Sequence, residues 1–202
     1  MQKKLNSKNS IGRPKTFEKN EVLKLAMQHF WEHGYTASSL DDLLLVMGIK
    51  KSSFYSTFKS KKELFSNCLA LYRKESLDYL ELTKKEIGPK GTMLFLTTNT
   101  IEELRNTGKV KGCLLVNSGK ECYNKYEDLS HQITVEFNFM QKLFIGFVEE
   151  AKELGEITNP KEAKIIAGRY MNTLNGLIIT IQAGATQELI DDVVESLKEI
   201  LE

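Results

Sequence analysis

The segment Ser38–Phe65, SSLDDLLLVMGIKKSSFYSTFKSKKELF, leaves this chain few ways to fold. It reads as two short helices around a glycine turn, followed by a capped third helix. Ser39 with Asp42 is an [ST]-x-x-[DE] capping signal just before an apolar run. The serine oxygen can accept a free backbone N–H, and the aspartate sits at the positive end of the helix dipole. Leu40, Leu43, Leu44 and Met47 then recur at helical spacing and define one buried face. Gly48 follows, where a left-handed turn costs little, and Ile49 is placed to plug the corner. Lys51–Phe58 reads as the second helix, with Phe54 and Phe58 facing inward one turn apart. Ser60 with Glu63 is a second capping box, so another helix starts near Lys61.

Lys51, Ser52, Ser53, Tyr55, Ser56 and Thr57 are left to point outward, with Lys50 just before them. These side chains suit phosphate oxygens and base edges. A solvated, serine-rich surface is the bland alternative, and the flanking sequence argues against it. Val22, Leu25, Ala26 and Phe30 form a preceding helical stripe, with Asn20 as its expected cap and Gly34 as its stop. Three helices therefore fit between Glu18 and Phe58, the minimum that encloses a helix-turn-helix core. The arm before them carries Lys3, Lys4, Lys8, Arg13 and Lys15. It has no apolar periodicity and is expected to stay unfolded when free; such an arm can enter a minor groove. The net charge of +1 hides an asymmetry: residues 1–62 hold 12 Lys and Arg against 5 Asp and Glu, the rest 16 against 22. A basic head on an acidic body suits docking of DNA at one end.

These residues resemble the DNA-binding domain of the tetracycline-repressor (TetR) family. The resemblance begins at GRPK (12–15) and runs through FWEHGY, SSLDDLLLVMGIKKSSFYSTF and KSKKELF. It continues as GCLLVNS (112–118), ELGEI (153–157) and NGLIITIQAG (175–184). It implies a dimeric, ligand-responsive transcription regulator, usually a repressor, acting on a pseudo-palindromic operator. By position it implicates Arg13, Lys15, Ser38, Ser39, Lys50, Lys51, Ser53, Tyr55, Thr57 and Lys61 in binding double-stranded DNA. Two departures stand out. Lys50 replaces the usual serine cap of the recognition helix, and Ser56-Thr57 replace a bulkier Tyr-His pair.

The remaining sequence reads as helices throughout, giving an all-α chain of about nine. Residues 1–60 are expected to form the DNA-binding domain and residues 61–202 a ligand-binding and dimerisation domain. Helices are expected over about 61–86, 92–106, 114–123 and 127–154, with a break at Gly88-Pro89. Asn159-Pro160 reads as the start of the next, which reaches about Ala183; Thr186 caps the last. Ile166, Tyr170, Leu174, Leu177 and Ile181 stripe the first of this final pair, and Leu189 to Leu201 the second. Two such helices can pair with their copies into a four-helix bundle, making a homodimer.

Large apolar residues crowd residues 61–154. They read either as ordinary core or as walls of a cavity with polar handles Tyr72, Tyr79, Asn99 and Asn138. The resemblance supports a pocket for a small, mostly apolar effector, and Tyr72, Met93, Leu96, Phe137, Met140 and Phe144 are assigned to it.

HFWEH (29–33) matches a zinc-peptidase signature, H-x-x-E-H. Its helix is committed to the helix-turn-helix core, however, so no metal is assigned. No phosphate loop, G-x-S-x-G elbow or catalytic triad is evident; no enzymatic activity and no cofactor are expected. An activator, a non-inducible DNA-binding protein and a zinc hydrolase built on HFWEH are the alternatives. Cys68, Cys113 and Cys122 lack metal spacing and fit a reducing cytoplasm. Cys113, near Lys109, Lys111 and a helix start, is a candidate reactive thiol. No apolar run nears the ~18 residues that span a bilayer, and Lys3 and Lys4 precede no signal-peptide core. The chain is expected in the cytoplasm, away from membranes.

Overall fold

Ser39 opens its helix as the capping signal requires. Its hydroxyl accepts the Asp42 N–H at 3.1 Å, and Asp42 Oδ2 accepts the Ser39 N–H at 3.3 Å. Gly48 ends the helix in the left-handed region (φ 62°, ψ 27°). The computed structural model describes residues 18–202, so Arg13, Lys15 and the rest of the arm lie outside the described residues. Eight helices follow in order: α1 Lys19–His33, α2 Leu40–Met47, α3 Lys51–Phe58, α4 Lys61–Thr107, α5 Leu114–Cys122, α6 Glu127–Glu153, α7 Ala163–Gln182 and α8 Gln187–Ile200. Among the described residues there is no strand.

The expected break lies within α4, where two helical stretches meet at a kink; counted apart, they bring the helices to nine. Gly88 leaves helical geometry (φ 76°, ψ 171°) and Pro89 follows it. Restarting a helix frees backbone N–H groups. Glu156, just beyond α6, supplies a partner: its carboxylate accepts the Lys90 N–H at 3.2 Å, and its carbonyl accepts Lys90 Nζ at 2.9 Å.

Three local readings need correction. α1 begins at Lys19 behind an uncapped, extended Glu18, so Asn20 lies inside the helix. At Ser60 the hydroxyl accepts the Glu63 N–H at 3.1 Å, and only this half of the capping box forms. Asn159 closes a turn by accepting the Lys161 N–H at 3.1 Å, and α7 starts three residues beyond Pro160, at Ala163. An Asx turn satisfies the same side chain that a helix cap would use.

Two hydrophobic clusters hold the chain. The first joins α1, α2, α3, the start of α4, α5 and the start of α6, around Phe30, Leu43, Phe54, Phe58 and Phe65. The second joins the rest of α4 and α6 with α7 and α8, around Phe147, Tyr170 and Leu197. The first cluster includes Leu114, Leu115 and Cys122 of α5. The three-helix head is therefore seated on α4, α5 and α6 together.

Candidate nucleic-acid interface and internal cavity

On α3, Phe54 and Phe58 are buried and Lys51, Ser52, Tyr55 and Ser56 are exposed, while Ser53 and Thr57 are half-buried. Lys50 is exposed in extended backbone at the start of α3 and makes no side-chain cap. The first N–H groups of α3 therefore remain open to solvent or an anion. Ser39, at the start of α2, is also exposed. Ser39, Lys50, Lys51 and Tyr55 thus share accessible surface on the helix-turn-helix, flanked by Ser53 and Thr57.

Ser38 and Lys61 stand apart from this set. Ser38 is fully buried and its hydroxyl donates to the Gly34 carbonyl at 2.6 Å. Lys61 Nζ turns inward, donating to the Ser38 carbonyl at 2.7 Å and lying 4.5 Å from the centre of the Tyr35 ring. Burial lowers its pKa, partly offset by Glu121. Both residues brace the loop between α1 and α2.

That loop is also clasped from α5. Glu121 accepts the Tyr35 N–H at 2.8 Å and the Thr36 N–H at 2.5 Å. Burial opposes ionisation of this carboxyl, but the hydrogen bonds from Thr36 and Tyr35 and the charge of Lys61 outweigh it and lower its pKa. A depressed carboxyl pKa stabilises the fold above the ordinary glutamate range, about pH 4.3. That stabilisation is lost as the pH falls through the lower folded value. Glu121→Gln should therefore cost about 1–2 kcal/mol at pH 7. The deficit against the parent should shrink in thermal melts taken toward about pH 3.

Beneath the head lies a cavity of about 460 Å³, within the size range of small-molecule sites. Its walls come from α1, α4, the 108–113 loop, α5, α6 and α7. Trp31, Tyr72, Tyr79, Phe137, Phe144 and Tyr170 supply its aromatic surface. Of the residues assigned from sequence, Tyr72, Leu96, Phe137, Met140 and Phe144 line it. Met93 does not: it is fully buried in the second cluster, and its carbonyl accepts the Tyr170 hydroxyl. Tyr79 and Asn99 line the cavity as expected, whereas Asn138 is exposed elsewhere. Local reading missed Trp31 on α1 and Tyr170, Met171, Leu174, Asn175 and Ile178 on α7. The available signals were the single tryptophan of the chain and the aromatic break in the α7 stripe.

The cavity wall is tied to α1. Trp31 Nε1 donates to the Gly112 carbonyl at 3.1 Å, and Lys111 Nζ donates to Glu32 at 2.8 Å and Gln28 at 3.0 Å. Gly112 sits at φ +74°, and a Cβ there would lie 2.7 Å from Ile178 Cγ2. Gly112→Ala should therefore destabilise the fold by about 1–3 kcal/mol, through left-handed strain plus the clash with α7. Trp31 fluorescence should report the displaced loop. Cys113 lines the cavity, and its sulfur accepts the Tyr72 hydroxyl at 3.5 Å.

The HFWEH segment is otherwise engaged. His29 and His33 stack with ring centres 4.3 Å apart, and Glu32 pairs with Lys111 at 2.8 Å. Among the described residues no cluster of three or more His, Cys, Asp or Glu could hold a metal ion. No helix among them is long and apolar enough to cross a membrane.

Residues 22–68 match the family model of bacterial regulatory proteins, tetR family. The chain is 28% identical over 181 residues to the HTH-type transcriptional regulator YezE of Bacillus subtilis, covering 89% of this chain and 92% of that one. It is 25% identical over 183 residues to the HTH-type transcriptional repressor ComR of Escherichia coli, covering 90% and 87%. In fold it is similar to the TetR-family regulator CifR, solved as a cysteine mutant with 26-base-pair operator DNA. The TM-score is 0.79 and the identity 24%, over 95% of this chain and all of the other. The head thus carries the DNA-binding domain of the tetR family of bacterial regulatory proteins, and the chain as a whole has the fold of TetR-family regulators.

Proposed function

We propose that the protein is a homodimeric repressor that a small, mostly apolar molecule releases from its operator. The observation that carries this reading is the internal cavity whose wall is bonded to α1 through Trp31–Gly112 and Lys111–Glu32. A ligand that favours one position of the 108–113 loop acts directly on the helix that supports α2 and α3. It shifts DNA affinity only by its differential affinity for the two states.

In this reading residues 1–60 form the DNA-binding domain and residues 61–202 the effector and dimerisation domain. Ser39, Lys50, Lys51, Ser53, Tyr55 and Thr57 contact the operator, with Arg13 and Lys15 of the arm beside them. Tyr72, Leu96, Phe137, Met140 and Phe144 contact the effector. The dimer forms through α7 and α8, which carry exposed Ile165, Ile179 and Leu189. Apolar surface of this kind calls for a cover, and a two-fold copy places two recognition helices on successive major grooves.

The test is a screen of small apolar compounds for release of the purified protein from DNA upstream of its own gene. Sedimentation of the free protein runs in parallel. A dimer that some compound releases supports the proposal. Tight DNA binding that no compound affects, including compounds shown to occupy the cavity, overturns its inducible part. A monomer on DNA overturns the dimer.

A further inference from the structure

We infer that the cavity rejects anionic ligands in favour of neutral ones, and that Glu103 sets this discrimination. The inference rests on the proposal that the cavity is the effector site. Glu103 and Lys111 are the only charged residues in the lining, which holds no arginine or histidine. They are not equivalent. The Lys111 ammonium leaves the cavity for α1, where Glu32 and Gln28 accept its hydrogens at 2.8 and 3.0 Å. Its charge is already balanced.

Glu103 Oε1 accepts only the Lys111 backbone N–H, at 3.1 Å. Among the described residues no cation pairs with its carboxylate. The other polar side chains are the Trp31 indole, the hydroxyls of Ser76 and Thr100, the amides of Asn99 and Asn175, three phenols and Cys113. Burial raises the pKa of Tyr72, Tyr79 and Tyr170, so they stay protonated at neutral pH.

An entering anion would lose its hydration, meet no unpaired cation and be repelled by Glu103. A neutral ring system meets aromatic walls and amides that donate and accept hydrogen bonds. Glu103 thus positions the loop through the Lys111 N–H and gives the cavity its sign of charge.

Two dyes with one skeleton isolate the charge: neutral N-phenyl-1-naphthylamine and its 8-sulfonate. Each is titrated by fluorescence into the full-length protein at neutral pH, into Glu103→Gln and into Leu96→Trp, which fills part of the cavity. Glutamine keeps an acceptor for the Lys111 N–H, and thermal melts confirm that each variant is folded.

The neutral dye should bind at least about tenfold tighter than the sulfonate. Leu96→Trp should weaken it by about tenfold. Glu103→Gln should narrow the gap by about tenfold, mainly by tightening the sulfonate. The sulfonate is intrinsically the more water-soluble dye, so the change on Glu103→Gln is decisive. An unchanged gap in that variant overturns the assignment to Glu103. Sulfonate binding as tight as that of the neutral dye, and weakened by Leu96→Trp, overturns anion rejection while leaving the effector site intact. Two dyes that both ignore Leu96→Trp would overturn the effector site itself.

Discussion

Truncating Phe65 to alanine should cost the fold about 3–5 kcal/mol and abolish DNA binding with it. Phe65 is fully buried in the first turns of α4. Its ring meets Phe30 of α1 edge-on at 4.9 Å and Tyr35 at 5.0 Å. Each such aromatic pair adds about 0.5–1.5 kcal/mol beyond the area it buries. One side chain therefore joins α1, the α1–α2 loop and α4, the elements that hold the recognition helix in place. Phe65→Leu retains much of the volume and should cost less than half as much. Urea denaturation of both variants, followed by helix content, gives the comparison. A loss below about 1 kcal/mol for the alanine variant would mean that the head does not depend on this junction.

Removing the two lysines that open α3 should do the opposite, sparing the fold and disabling its use. Lys50 and Lys51 are exposed and enter no ion pair among the described residues. The double variant Lys50→Ala, Lys51→Ala should change stability by no more than about 0.5 kcal/mol. Its affinity for DNA should fall by at least about tenfold. The logarithmic dependence on salt should flatten by about 0.9 for each phosphate that is no longer neutralised. A loss equal on all sequences assigns both lysines to the backbone, whereas a loss confined to the operator assigns one of them to a base edge. Unchanged affinity in a folded double variant would refute this placement of the interface.

The contrast between these variants tracks what the sequence made legible. Ser39, Asp42, Gly48, Phe54 and Phe58 were readable because capping, a left-handed turn and helical spacing act within a few residues. The inward contacts of Ser38 and Lys61 were not, because they depend on the chain folding back. Lys61 opens α4 yet reaches the carbonyl of Ser38, 23 residues earlier. Glu121 and Lys111 were invisible for the same reason: their partners at Tyr35 and Glu32 lie 86 and 79 residues away. The walls drawn from 61–154 were largely found, since aromatic density marks them. The α7 wall was missed because its residues also satisfy an ordinary core stripe. Asn20 and Asn159 show the converse failure, in which a residue competent to cap a helix sits inside one or closes a turn instead.

The most direct test of the account is equilibrium binding to the DNA upstream of the protein's own gene, across a salt series and against unrelated competitor DNA. The account predicts tight, competitor-resistant binding that weakens steeply with salt. Weak binding, equal on every sequence, would leave only the nonspecific attraction of a basic head and would contradict it.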